Sequence, residues 1–155
     1  MSTQEKLMWL TIDFIELLNG LSPDSTGKWG VMNAHQMVEH MGYSVRQANG
    51  KDKKILLTPS ENLEKIRAFM LSEKPFRENT KNIELPEIPY PPLQPGMNAA
   101  IAELNKELTD FIEFYKLNPD VKFMNPFFGE LNFNEWVHLL HKHAMHHARQ
   151  FGLVE

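Results

Sequence analysis

Six of the ten prolines in this 155-residue chain (Pro75, Pro86, Pro89, Pro91, Pro92 and Pro95) fall between residues 75 and 97. Proline fixes φ, lacks the amide donor and clashes with the preceding helical turn, so no helix crosses this segment and a central strand is equally disfavoured. The chain is thereby split into two stretches, joined by an extended connection longer than the ~12–15 residues usual for a structureless link. Such a connection is either a crossover along the body of the fold or a cover over a site. The apolar side chains of Ile83, Leu85, Ile88 and Tyr90 predict that Phe76 to Leu93 packs along the helices.

Both stretches read as helical. Leu7, Leu10, Phe14, Leu17, Leu18 and Leu21 form one stripe at about 100° per residue, behind a Ser2-x-x-Glu5 capping box, which predicts a helix over 3–19. A second helix is predicted from Asn33, with Gln36 three residues on, to Asn49-Gly50. A short one follows over 59–73, with Pro59 in its first turn. Beyond the prolines, Ile101, Leu104, Leu108, Phe111, Ile112 and Tyr115 mark a fourth, ended by Asn118-Pro119. The last starts at Asn132 or Asn134, with Glu135 completing a box, and runs to about Phe151. These elements predict an all-α fold: a four-helix bundle with a long Pro-rich crossover and one short extra helix, in a single domain over 1–155. Trp9 and Ile12 lie off the stripe of the first helix and are either ordinary exposed apolar residues or part of a dimer face.

Charge and composition narrow the function classes. Sixteen Lys plus Arg against twenty Asp plus Glu, with no basic run beyond Lys51 to Lys54, offer little to a phosphate backbone or an anionic membrane. The polar opening residues lack an apolar signal core, and no run approaches the ~20 apolar residues of a membrane span. The expectation is a cytoplasmic protein that binds neither nucleic acid nor membrane. The absence of cysteine removes disulfides, thiolate nucleophiles and iron–sulfur clusters, so any metal must be held by His or carboxylate.

Five of the seven histidines (His138, His141, His143, His146 and His147) fall in the last helix. At about 100° per residue, His143 and His147 share the face of Trp136 and Leu140 and point inward. His138 and His141 point away, as solvated residues, and His146 lies on the flank. Two imidazoles one helical turn apart can ligate one ion, as on a zincin helix, but the Glu of that motif is missing from His-Ala-Met-His-His. The alternative is a pair of core histidines satisfied by side chains or water. In the second helix, His35 and His40 flank the apolar face symmetrically, and periodicity does not choose between them. His40 shares its side with Asn33, Ser44 and Gln47, a semipolar seam suited to an inward site.

Trp29-Gly30-x-Met32-Asn33-x-x-Gln36-Met37-x-x-His40, then Asn125-Pro126-x-Phe128-Gly129-x-Leu131 through Glu135-Trp136, then His143-x-x-x-His147-x-x-Gln150-Phe151-Gly152-Leu153, resembles the DinB-like superfamily over nearly the whole chain. The resemblance implies an up-up-down-down four-helix bundle, often dimeric, with a divalent metal on one His of the second helix and two of the last. The matching residues are His40, His143 and His147, with Gln150 lining the site or supporting a ligand. It also implies kinship with thiol S-transferases and isomerases that use low-molecular-weight thiols such as bacillithiol or mycothiol.

Three neutral imidazoles leave a coordination position open, which is the habit of catalytic sites. Zinc or nickel is the expected metal, with iron or manganese as further candidates. The leading expectation is therefore a metal-dependent enzyme that joins an external thiol to a small electrophile, working as a homodimer. The alternatives are a metal-dependent hydrolase and a non-catalytic, metal-binding or stress-associated helical dimer. Glu39, beside His40, reads as a solvated surface carboxylate, while Tyr43 and Tyr90 read equally as packing residues or substrate contacts.

Overall fold

The computed structural model describes residues 1–79 and 88–155. Helix α1 (Thr3–Met8) starts at Ser2, whose Oγ accepts from the Glu5 amide at 3.1 Å while the Glu5 carboxylate accepts from the Ser2 amide at 2.6 Å. A π-helical stretch, Trp9–Asp13, continues it into α2 (Phe14–Asn19), so the predicted first helix is one rod with a widened turn at its middle. The Phe14 amide there reaches back five residues to the Trp9 carbonyl. Leu7, Leu10, Phe14 and Leu18 are buried, and Trp9 stacks on Phe14 at 5.4 Å instead of standing in solvent.

Helix α3 (Ala34–Ala48) carries the predicted Asn33/Gln36 box and ends at Asn49 and Gly50. Helix α4 (Ser60–Leu71) is the short extra helix, and α5 (Met97–Leu117) begins as the prolines end. Helix α6 (Phe133–Gln150) starts at the Asn132/Glu135 box. All three boxes expected from the sequence therefore close, each satisfying two amides that the first turn would leave without partners.

The predicted all-α class holds only in a coarser form: the chain is mostly helical, with a small hairpin of β1 (Phe123–Asn125) and antiparallel β2 (Gly129–Leu131) before α6. Its turn is held by Asn125, whose side-chain oxygen accepts from the Phe127 and Phe128 amides. The four-residue spacing of Asn125-Pro126 and Gly129 is an ordinary turn signal, and the helical reading passed over it. Core residues come from the N-terminal rod (Phe14), α3 (Met37, Met41), α5 (Leu104, Leu108, Phe111) and α6 (Trp136, Leu140). α3 packs on α5 and α6, and α1 and α4 pack on α6.

The Pro-rich segment does not pack as expected where it is described. Phe76 is half-buried against Phe69 and Phe128, but Ile88, Tyr90 and Leu93 are exposed, at 82%, 65% and 88%. Ile83 and Leu85 lie outside the described residues. What holds the second half is polar: Gln36 Nε2 donates to the Tyr90 carbonyl at 3.2 Å, and the Leu93 and Gln94 amides donate to the Glu39 carboxylate at 2.8 and 3.1 Å. A proline-punctuated chain keeps few amides, and these few serve as its attachment. Among the described residues, no helix is long and apolar enough to cross a membrane.

Gly50 ends α3 at φ 81°, where a β-carbon would also run into the Phe123 ring. Gly50→Ala should lower unfolding free energy by about 1–3 kcal/mol in denaturant titrations, since left-handed strain and overlap act together. A wild-type midpoint would show that the α3–β1 junction yields freely.

Candidate metal centre

Helix α6 places His143 and His147 one turn apart, and α3 brings His40 to face them. The Nε2 atoms of His40 and His143 are 3.0 Å apart, and those of His147 and His143 are 2.9 Å apart. The three ligand atoms all lie within 4.8 Å of one another, and no other set of three or more His or carboxylate groups so arranged occurs among the described residues. His147 is buried, while His40 and His143 are half-buried.

The far side of each α6 ring decides what its Nε2 can do. Gln150 Nε2 donates to the Trp29 carbonyl at 2.8 Å, which turns Gln150 Oε1 toward His147 Nδ1 at 2.7 Å. An amide oxygen only accepts, so His147 carries its proton on Nδ1 and a bare lone pair on Nε2. Ser44 Oγ donates to the His40 carbonyl at 3.3 Å and lies 3.3 Å from His143 Nδ1, the position of an acceptor for that N–H. Two Nε2 lone pairs then face each other across 2.9 Å, an arrangement that repels unless a proton or cation sits between them. Nitrogens each ~2.1 Å from one ion stand ~3–3.4 Å apart for right-angle to tetrahedral geometry, so the two short separations come close to those of a shared metal.

The loop before α3 is shaped to this purpose. The Lys28 amide donates to the Gln150 carbonyl at 2.7 Å. A β-carbon at Gly27 or Gly30 would strike the Gln150 side chain at 2.8 or 2.7 Å, so glycine lets the loop close over that amide.

Burial sets the electrostatics. It pushes His40 down to about 4, with nearby His146 adding to the effect. It holds His143 and His147 well below the usual imidazole value, each ring also repelling a charge on its neighbours. All three are therefore neutral at physiological pH, the form a metal requires.

The structure brings His40, His143 and His147 together, with Gln150, expected to line the site or support a ligand, against His147. Other expectations need correction. His138 and His141 do stay away from the cluster, but toward α1 and α4 instead of toward water. His138 Nδ1 meets Lys6 Nζ at 2.8 Å and its Nε2 meets the Ser72 carbonyl at 3.1 Å, while His141 packs edge-on against Trp9 at 5.2 Å. The helix they lie on is covered on that side too, which the angular reading of one helix does not reveal. Glu39 is no solvated carboxylate: besides holding the Pro-rich segment it lies 2.7 Å from His35 Nε2, so His35 is engaged outside the cluster. Tyr43 lies under the Lys54 ammonium, 4.9 Å from its ring centre, and Tyr90 is exposed. Ser44 was legible only as part of the seam beside His40. Phe76, which stands edge-on to His143 at 6.5 Å, carried no signal at all.

Comparison of the chain with protein-family models, curated proteins and solved structures gave no match.

Two outcomes follow from this geometry. Gln150→Leu removes the acceptor that fixes the His147 tautomer and should weaken divalent-metal affinity about 10–100-fold in competition titrations with a chromogenic chelator. The pH dependence has a defined sign. The unfolded chain takes up protons below about pH 6.5, whereas folded His40 waits until about 4, so the unfolded state holds more protons in between. Stability of metal-free protein should fall as pH falls through that window, and His143→Asn should make the fall shallower. Superimposable profiles for the two proteins would contradict the neutral-cluster account.

Proposed function

We propose that this chain is a DinB-like four-helix bundle, up-up-down-down in topology, that holds a divalent metal on His40, His143 and His147 and uses it to join an external thiol to a small electrophile. The observation that carries the reading is the convergence of three Nε2 atoms, two of them on rings that Gln150 and Ser44 commit to offering lone pairs. No fourth His or carboxylate joins the group among the described residues, so a position stays open.

When bound, the metal supplies Lewis acidity that lowers the pKa of a thiol or water at that open position. The chain's own residues do the remainder. Gln150 and Ser44 fix the ring orientations. Burial keeps the three imidazoles unprotonated at neutral pH. The chain has no cysteine, so the thiol is a diffusible small molecule. Zinc or nickel fits an all-imidazole set, with iron or manganese as further candidates. The protein works in the cytoplasm as a homodimer.

The test has two stages. Protein purified without an affinity metal should bind close to one divalent ion per chain, and His40→Ala, remote in sequence from the five histidines of α6, should abolish that binding. Zinc- or nickel-loaded wild type should then accelerate reaction of a cellular thiol with model electrophiles, and His143→Ala should return the rate to background. Equal rates for both proteins on every thiol and electrophile would defeat the transferase reading, and hydrolysis that needs both metal and His143 would replace it with a hydrolase.

A further inference from the structure

A half-open cavity of about 500 Å³ adjoins the histidine cluster, bounded by the loop carrying Lys28 and Trp29, by residues 75–78, and by His146 and Arg149 of α6 with Val154 and Glu155 beyond it. Its volume falls within the ~300–1,000 Å³ typical of small-molecule pockets. Two of its walls are aromatic: Trp29 and Phe76 each meet the His146 ring edge-on, at 5.5 and 6.2 Å between centroids. His146 in turn abuts His147, with ring centres 5.2 Å apart, and Phe76 leans on His143. Side chains lining this space therefore pack on two of the three ligand rings.

The charge lining the cavity is uneven in a specific way. Lys28 and Arg149 both border it, and neither forms an ion pair among the described residues. Elsewhere Lys51 is matched with Glu107 and Asp110, and Arg67 with Glu135. Glu78 and Glu155 also line the cavity, yet neither comes within ion-pair distance of Lys28 or Arg149. Two cations without an ion-pair partner among the described residues, beside aromatic rings, make a place for an anion with a flat body. A guanidinium offers a fork that matches a carboxylate, and aromatic walls favour a planar apolar group.

We propose that this cavity binds a small planar carboxylic acid, with its carboxylate between Lys28 and Arg149 and its ring system between Trp29 and Phe76. This names the recognition handle of the substrate for the reaction proposed above, the carboxylate itself taking no part in bond making, and rests on that reading for the chemistry, though not for the binding. The cavity is also joined to the ligand set by a hydrogen-bonded path, since the Trp29 carbonyl accepts from the same Gln150 amide that orients His147.

The test uses 2-naphthoate and its uncharged amide as probes, titrated calorimetrically into the metal-free full chain. Naphthoate should bind at least about tenfold more tightly than the amide, the worth of one charge-assisted hydrogen bond. Arg149→Gln should lose that preference, His143→Ala should keep it, and naphthoate protons should show nuclear Overhauser contacts to Trp29 and Phe76. If Arg149→Gln does not fold, as read by circular dichroism, Lys28→Gln carries the same expectation. Equal affinity for acid and amide, no binding of either, or an unaltered preference in the folded cation variant would overturn the proposal. A parallel zinc titration separates the two readings: zinc bound without charge preference at the cavity sinks this inference alone. Naphthoate bound selectively by a chain that takes up no zinc sinks the metal-centre reading alone.

Discussion

The constraint on which the rest of the structure depends is that α6 is polar in sequence and covered on nearly every side. Buried polar groups cost free energy unless they are hydrogen-bonded, so each one on α6 demands a partner from another element. Those partners come from all over the fold. Lys6 of α1 meets His138, and Arg67 of α4 meets Glu135. Lys142 Nζ donates to the carbonyls of Phe69, Met70 and Ser72, closing the C-terminal end of α4 where helical carbonyls lack partners. Ser44 of α3 meets His143, and the Trp29 carbonyl meets Gln150. Only Trp136 Nε1 and His141 Nε2 remain buried on this helix without a partner among the described residues. The apolar core gives the helices a reason to associate, and these directional contacts hold them in one arrangement.

The histidine cluster is the point where this satisfaction is deliberately left incomplete. His143 and His147 spend their Nδ1 protons on neighbours, so the fold directs unprotonated Nε2 atoms at one another and at His40. Low solvent exposure prevents the cheaper remedy of protonating a ring, as the depressed His40 value of about 4 expresses. A group of acceptors that burial keeps unprotonated at neutral pH suits a cation.

Glu39 illustrates how one side chain joins the site to the Pro-rich segment. It lies next to His40 in sequence but a hundred degrees around the helix, and there it accepts from the Leu93 and Gln94 amides. Phe76, at the start of the same segment, stands edge-on to His143 and His146. The segment is thus attached near both halves of the ligand set, by hydrogen bonds at one end and ring contacts at the other. Its exposed Ile88, Tyr90 and Leu93 show that attachment, not burial, is what organises its second half.

What the sequence determined by itself was local. The three capping boxes start where Ser2, Asn33 and Asn132 stand, because a cap needs only residues three apart on one chain. The i, i+4 spacing of His143 and His147 follows from helical geometry alone, and Gln150 lies one turn from His147 for the same reason. The choice of His40 over His35 was different in kind. Both flank the apolar face of α3, and only the packing of α3 against α6 turns one into the cluster while Glu39 occupies the other. The partial burial of His138 and His141, the clamp at Glu39 and the reach of Phe76 likewise depend on which element lies alongside. A periodic pattern specifies directions around a single helix axis, but only tertiary packing decides what stands in each direction.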